Sequence, residues 1–379
     1  MPPSTAELRS RRRRAGERQA LLVRAAVLSG AASTEAWERW CEGASQQEIQ
    51  DGEVRLLAAA YKRLEQRGVD GPMVEVARGI YRRTWYVNQL AVARNAEIVE
   101  RLGQVGIPAL MLKGFPLAVR HFRDLGARPM EDLDLLVPPD RVRDAAVALE
   151  PLGYVRTVGG TGAASLLGKE IEVRRGDREV VELKAFALVE SADDSDLWEG
   201  SEGFALREAE ARSPCAADHL LVVCAHGQRW NAVQPVSWIV DAVTLVRSPD
   251  GNLDWDRFVA RARARRLTLV AARAVRILAG LGVAVPGRVA SALEADAVPF
   301  ADRVADRAAS AVPTRLGSAV IGWDRYRRFR SLAPPERRPS GPLDWVAERW
   351  DVEGARGLIS EAGRRVMTLE RSVRERGDW

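Results

Sequence analysis

The run Arg128-Pro129-Met130-Glu131-Asp132-Leu133-Asp134-Leu135-Leu136-Val137 constrains this chain more than any other segment. From Asp132 onward it reads as a strand, and a strand turns successive side chains to opposite faces. Leu133, Leu135 and Val137 then point into a core, while Asp132 and Asp134 share the other face. Unpaired buried carboxylates are costly, so two acids in so apolar a strand need a reason. Two carboxylates on one face suit a hard divalent cation. The competing assignment is a solvated strand end.

The neighbouring motifs extend that reading. Ala109 to Leu112 reads as a buried strand, and Lys113-Gly114 follows it eighteen residues before Asp132. A glycine where a strand turns into a helix lets phosphate oxygens approach backbone N–H groups. Lys113 adds a cation for the same phosphates. Arg128, in the loop that begins at Arg123, is placed to hold a triphosphate or pyrophosphate leaving group. Arg120, His121 and Arg123 are weaker candidates for that role. Downstream, Val180-Val181-Glu182-Leu183-Lys184 sets a single acid in an apolar strand. A two-metal site for phosphoryl transfer holds its ions roughly 3.5–4 Å apart and needs carboxylates from more than one strand. Glu182 supplies the third acid if its strand lies beside that of Asp132 and Asp134. Otherwise it is an outward-facing residue of a half-exposed strand. Gly162 to Glu170 imitates a P-loop, but five residues separate its glycines and Glu170 stands where Ser or Thr would bind magnesium, so it is rejected.

The pattern along the chain changes twice. Residues 15 to about 105 read as successive helices, with one long helix over Val74 to Leu102. From there to about 190 strands and helices mix. A strand at 109–113 leads to a helix near 115–122, then to the acidic strand 131–137 and a helix over 141–150 capped by Asp140. Strands follow over Tyr154–Val158, Ile171–Arg174 and Glu179–Phe186. Beyond about 205 the pattern is helical again. One helix is expected to open at Ser213-Pro214 and run through Ala225, with Ser213 as its cap; another covers Trp238 to Val246, and a third starts at Asp254.

Composition sets the outer limits. A chain of 379 residues with 46% hydrophobic side chains can bury a sizeable core. Its net charge of +5 is mild, which permits an acidic ligand such as a nucleotide without calling for nucleic acid. Lys occurs only at 62, 113, 169 and 184, so Arg supplies 57 − 4 = 53 of the basic residues. Against that background Lys113 and Lys184 stand out, each beside an acidic motif. Cys41, Cys215 and Cys224 form no paired framework, which points to reduced thiols and a cytoplasmic protein. His121, His219 and His226 are too scattered for a zinc site, although the last two could share a helix face. No apolar stretch approaches eighteen residues. The run Arg11 to Arg14 is expected to be a solvated tail.

Taken in order, these motifs resemble an uncharacterised nucleotidyltransferase family of the DNA polymerase beta-like superfamily. The residues that carry the resemblance are Leu112-Lys113-Gly114, Arg128 to Val137, Gly153-Tyr154, Val181-Glu182-Leu183, Ser213-Pro214 with Asp218-His219-Leu220-Leu221, Cys224-Ala225-His226, Trp238 to Asp241, and Asp254-Trp255-Asp256. The resemblance spans about 90–275. Bacterial members of the family often neighbour peptide or natural-product biosynthesis genes. It implies metal-binding acids at Asp132, Asp134 and Glu182. Two positions depart from its pattern. Phe115 follows Gly114 where the superfamily has a small residue, and Lys184 stands where family members commonly place His.

These readings lead to one set of expectations. The fold is α+β, a polymerase beta-like nucleotidyltransferase core (a small mixed sheet with helices) flanked by helical regions. Its parts are an N-terminal helical region at 1–105, the core at 106–205 and a C-terminal helical domain at 206–379. The activity is magnesium-dependent transfer of an NMP group from an NTP, ATP first among them, with release of pyrophosphate. Asp132, Asp134 and Glu182 are the catalytic and metal-binding residues for two Mg²⁺ ions. Lys113, Gly114 and Arg128 bind the nucleotide. The acceptor is a small molecule or peptide of a biosynthetic pathway, with no nucleic acid and no membrane involved. Asp241 and His226 are speculative acceptor contacts. A catalytically silent nucleotide-binding protein and a toxin-type enzyme modifying a protein or tRNA are the alternatives.

Overall fold

The computed structural model describes residues 5–363, apart from 45–48, 50, 159–170, 178, 189–192, 229–235, 249–252, 312–314, 334, 336–337, 351, 353–355 and 362. The P-loop imitation at Gly162 to Glu170 lies outside the described residues.

Four helices come first: α1 (Thr5–Val27), α2 (Ala31–Glu42), α3 (Asp51–Glu65) and α4 (Pro72–Gln104). The arginine run expected as a tail belongs to α1. The long helix expected over Val74 to Leu102 is α4, with Pro72 in its first turn, where a missing N–H costs nothing. Val74, Ala77, Thr84, Ala91, Ile98 and Leu102 make up part of its buried stripe, at the spacing of one helix face.

The chain then builds a five-stranded sheet from β1 (Leu110–Leu112), β2 (Asp132–Leu136), β3 (Val155–Val158), β4 (Ile171–Arg175) and β5 (Glu179–Lys184). The spatial order is β1-β2-β5-β4-β3. β2 and β5 are parallel, and the other neighbours are antiparallel, so the sheet is mixed and the fold is α+β. Between β1 and β2 lie α5 (Gly114–Pro116) and a π-helical turn over Leu117–Phe122. These take the place of the single helix expected there. α6 (Val142–Ala148) precedes β3. Asp140 does not cap it: a 3₁₀ turn over Pro139–Arg141 intervenes, and Arg141 holds the cap position without a side-chain bond.

A second correction concerns residues beyond about 205. After α7 (Ser195–Glu199), β6 (Ser201–Leu206) and β7 (Ala209–Pro214) form an antiparallel hairpin, and β7 lies where helix was expected. Ser213 and Pro214 therefore end a strand instead of opening a helix. The hairpin gives little local signal. Its turn holds Arg207 at φ 54° where glycine is usual, and five of the six β6 residues, 201 through 205, are not buried. The helix expected at Ser213 is α8 (Ala216–Gly227), with Cys215 at the cap.

Helices complete the described chain: α9 (Ser237–Val246), α10 (Trp255–Ala264), α11 (Thr268–Gly280), α12 (Gly287–Glu294), α13 (Phe300–Ser310), α14 (Arg315–Leu332) and α15 (Pro342–Trp350). Asp254 caps α10 by accepting from the Arg257 N–H. Among the described residues, no helix is long and apolar enough to cross a membrane.

Two cores hold the sheet. On one face Leu110, Leu112 and Leu136 join a cluster with Trp37, Trp40 and Leu57 of the early helices and Leu221, Val243, Phe258 and Leu278 of the later ones. On the other, Leu133, Leu135, Val137, Val181 and Leu183 pack with Ile98 and Leu102 of α4, Ala145 of α6, and Phe329 and Trp345. The alternation expected for the acidic strand thus holds: its odd-numbered apolar positions are buried, and its acids face the other way.

Leu183 tests this arrangement, because its side chain is fully buried on the face opposite the acids. Leu183→Ala is expected to cost about 2–5 kcal/mol of unfolding free energy, read from urea titrations. A cost below 1 kcal/mol would show that this sheet face is not a packed core.

Candidate active site

The parallel pairing of β2 with β5 brings the acids together. Asp134 sits opposite Glu182, and Asp132 lies one alternation away on the same face, opposite Val180. Ligand oxygens of Asp132, Asp134 and Glu182 lie within 4.8 Å of one another. Three carboxylates at that spacing, from two strands, match the hard oxygen donors that Mg²⁺ prefers. Among the described residues they form the one such cluster of acids, histidines and cysteines.

Two lysines enter the same group. Lys113 Nζ lies 2.8 Å from Asp134 Oδ1, and Lys184 Nζ lies 3.1 Å from the same oxygen and 2.5 Å from Glu182 Oε2. Asp134 is only 4% exposed. Burial opposes its ionisation, but the charges of Lys113 and Lys184 outweigh burial and hold its carboxyl well below the ordinary range. Asp132, at the exposed end of β2, behaves oppositely: desolvation within the cleft, then the Asp134 charge, pushes it up. Burial pushes the Lys113 ammonium down against the pull of Asp134. Its backbone is unusual too, at φ 51° and ψ −113°. Non-glycine residues rarely adopt such a conformation, and those that do cluster at functional sites.

Arg128 is held differently from the sequence expectation. Its Nε and Nη2 donate to the two carboxylate oxygens of Asp241 on α9, at 2.8 and 2.9 Å. Burial weakens its positive charge, yet Asp241 more than compensates and raises its pKa. The guanidinium also explains Gly114. A Cβ at Gly114 would lie 2.7 Å from Arg128 Nη1. The space a side chain at Gly114 would fill is thus taken by an arginine pinned from its far side. Asn88 of α4 fixes the backbone of this loop by donating to the carbonyls of Leu125 and Arg128. At Gly126 an added Cβ would strike the Tyr81 ring.

These groups line a cleft of about 320 Å³. Its walls include Lys113, Gly114, Arg128, Asp132, Asp134, Glu182 and Lys184, so all six residues singled out as site residues from sequence share one cavity. Arg55 of α3, Glu131, His226 of α8, and Trp238 and Asp241 of α9 complete it. Arg120, His121 and Arg123 are not among the lining residues. Arg120 instead bonds Ser213 and Glu202, and His121 meets Ser248. His219 does not share a site with His226. It packs edge-on against His121 with ring centroids 5.9 Å apart, and burial, then His121, pushes its pKa well down.

Sequence reasoning missed Arg55 and the wall formed by Trp238. Arg55 reaches Glu131 at 3.0 Å from a helix that was read only as part of a helical region. Trp238 packs on Gly227, where a Cβ would collide with its ring. A glycine and an aromatic eleven residues apart give no local pattern that predicts such a contact.

With fold and cleft in view, the family is plain. A model described as uncharacterised nucleotidyltransferase matches residues 53–281, more than half of the chain. The protein belongs to that family and is a nucleotidyltransferase. The matched span contains every residue that lines the cleft. Among solved structures, the antibiotic-resistance factor ANT(2'')-Ia is similar over 48% of this chain and 96% of that chain, at 13% identity and a TM-score of 0.32, a loose likeness. A search of curated proteins finds no match.

The Gly114–Arg128–Asp241 contact predicts a thermodynamic cycle. Gly114→Ala is expected to cost about 1–3 kcal/mol through overpacking. Asp241→Ala, which strands a buried guanidinium, is expected to cost about 3–5 kcal/mol. Together they should cost less than their sum, since an Arg128 freed from Asp241 can yield to the new methyl. Urea unfolding of all four proteins measures this, and strict additivity would sink it.

Proposed function

We propose that this nucleotidyltransferase moves a nucleoside monophosphate from an NTP, ATP in the first instance, to a hydroxyl of a small-molecule or peptide acceptor. The observation that carries this reading is the convergence of Asp132, Asp134 and Glu182 within 4.8 Å in a cleft also walled by Lys113, Arg128 and Lys184.

Asp132, Asp134 and Glu182 would hold magnesium. Bound there, the metal supplies electrostatic stabilisation for the charge that develops on the transferring phosphoryl group. The acceptor oxygen forms a bond to the α-phosphorus while the bond from that phosphorus to the α–β bridging oxygen breaks, and pyrophosphate leaves. Glu182 faces the same space and takes the acceptor's proton. Arg128 contributes a fixed positive charge, because Asp241 leaves its guanidinium little rotational freedom. Lys113 sits where strand β1 ends, its ammonium against Asp134, and can turn toward a phosphate without leaving the cleft.

Arg55 has a different part. Its ion pair with Glu131 joins side chains that are 37% and 75% exposed, and such exposed pairs contribute little. The terminal phosphate of a triphosphate offers Arg55 a more highly charged partner at the mouth of the cleft. The acceptor class follows from the walls. Five carboxylates (Glu131, Asp132, Asp134, Glu182, Asp241) stand among four Lys and Arg side chains. A polynucleotide backbone needs a continuous basic track, which this lining does not offer. A volume of about 320 Å³ suits small ligands.

Incubation with Mg²⁺, each α-labelled NTP and cell extract is expected to label a small or peptide acceptor. Asp132→Asn combined with Asp134→Asn should abolish the label, and equal labelling by the double variant would remove these acids from the chemistry. Label appearing in RNA would refute the acceptor class. Arg55→Ala is expected to raise KM for the NTP about ten- to a hundredfold, the loss of one charge-assisted hydrogen bond. Its kcat should change less. An unchanged KM would rule Arg55 out as a triphosphate contact.

A further inference from the structure

We propose that Lys184 occupies one of the two cation positions of the acid cluster, so that this enzyme works with one divalent ion where a three-carboxylate site of this kind would take two. The proposal rests on the metal-binding reading of Asp132, Asp134 and Glu182.

The backbone sets the face on which Lys184 lies. It lies two residues beyond Glu182 on β5, so strand alternation puts both on one face. The register then sets Glu182 against Asp134 and Lys184 against Leu136 of β2. The ammonium reaches back between the two acids, 3.1 Å from Asp134 Oδ1 and 2.5 Å from Glu182 Oε2. An ion bridging Asp134 and Glu182 would sit between those same carboxylates. Lys113 approaches the same Asp134 oxygen at 2.8 Å. Two ammonium groups on one oxygen bring as much positive charge as one divalent ion.

The far side of the cluster differs. Asp132 stands at the exposed end of β2, facing the cleft, while the two ammonium groups sit on Asp134 and Glu182. The seat shared by Asp132 and Asp134 is therefore the one that a divalent ion takes with its triphosphate. A second ion would have to bind between Glu182 and Asp134 against the repulsion of Lys184. At 4 Å a pair of unit charges repels by about 4 kcal/mol near a protein surface, and a divalent ion doubles that. In the resulting site the lysine ammonium, not a second metal, lies beside Glu182 and the attacking oxygen. It can donate a hydrogen bond to that oxygen or to the α-phosphate.

Counting Mn²⁺ on the full-length protein tests this. Bound ions are measured by filtration and by electron paramagnetic resonance, with Mn²⁺ alone and then with ATP whose α–β bridging oxygen is replaced by methylene. The wild type should bind one ion per chain, with no signal from a coupled Mn²⁺ pair. Lys184→Ala should bind two and show the coupled signal. Lys184→Arg should return to one. Two coupled ions in the wild type would overturn the proposal and leave the metal site standing. One ion in both wild type and Lys184→Ala would overturn the role of Lys184. No ion in the wild type would instead remove the metal-binding reading on which the proposal rests. The wild-type count decides even if Lys184→Ala does not fold.

Discussion

The parallel ladder between β2 and β5 is the interaction on which the site depends. It fixes Asp134 against Glu182, and nothing in the attraction between side chains would do so, since like charges repel. Two carboxylates at 4 Å repel by roughly 1 kcal/mol in water and about 4 kcal/mol at a protein surface. The ladder withstands this because its other face is apolar. Leu133, Leu135, Val181 and Leu183 are all at most 1% exposed, and each fully buried side chain of this size stabilises the fold by about 1.5–3 kcal/mol. A strand cannot slip by one residue without moving those leucines into the cleft. Hydrophobic register on one face thus positions charge on the other.

Lysine, not burial, makes the charge tolerable. Asp134 would be unstable as a lone buried anion, and Lys113 and Lys184 both reach it. Their contacts come from different directions, one from the end of β1 and one along β5. The cluster is therefore tied into three of the five strands. Arg128 ties it to the helices: its guanidinium covers Gly114 and is held by Asp241 of α9. Helices from before and after the sheet also share one hydrophobic cluster. The cleft forms where these parts meet, so its shape depends on the packing of α3, α8 and α9 as much as on the sheet.

What could be read in advance follows from that division. The acids and Lys113-Gly114 were legible because strand alternation and a strand-to-helix turn are local patterns. The pairing of Glu182 with Asp134 was inferable from two apolar strands that each carry acid on one face. Arg55, the Asp241 grip on Arg128 and the Trp238 wall were not legible as a set, because each joins residues far apart in sequence: Arg128 and Asp241 are 113 positions apart. A further reason for Gly114 escaped for the same cause. Local chemistry suggested approach of phosphate to backbone N–H groups, and a distant carboxylate also brings an arginine against the place of its missing side chain. The β6–β7 hairpin escaped because its turn has no glycine and its outer strand has little buried surface.

The balance of charge in the cleft also indicates how substrate binding would reorganise it. Lys113 and Lys184 now neutralise acids that a metal would neutralise more strongly. On the proposed function, Asp134 would share its charge with a bound metal, and a triphosphate would bring its own negative charge beside the lysines. Lys113 would then have a new anionic partner within the length of its side chain, while Lys184 would stay between Asp134 and Glu182. Arg128 cannot make that exchange, being held on both sides by Asp241 and Gly114. The site therefore combines one rigid cation, Arg128, with a freer one, Lys113. On the proposed function, the rigid one would set where the polyphosphate lies, and Lys113 would follow the charge as pyrophosphate separates. Such an arrangement would favour the transition state over the bound substrate, because a freer lysine gains most where negative charge is being redistributed.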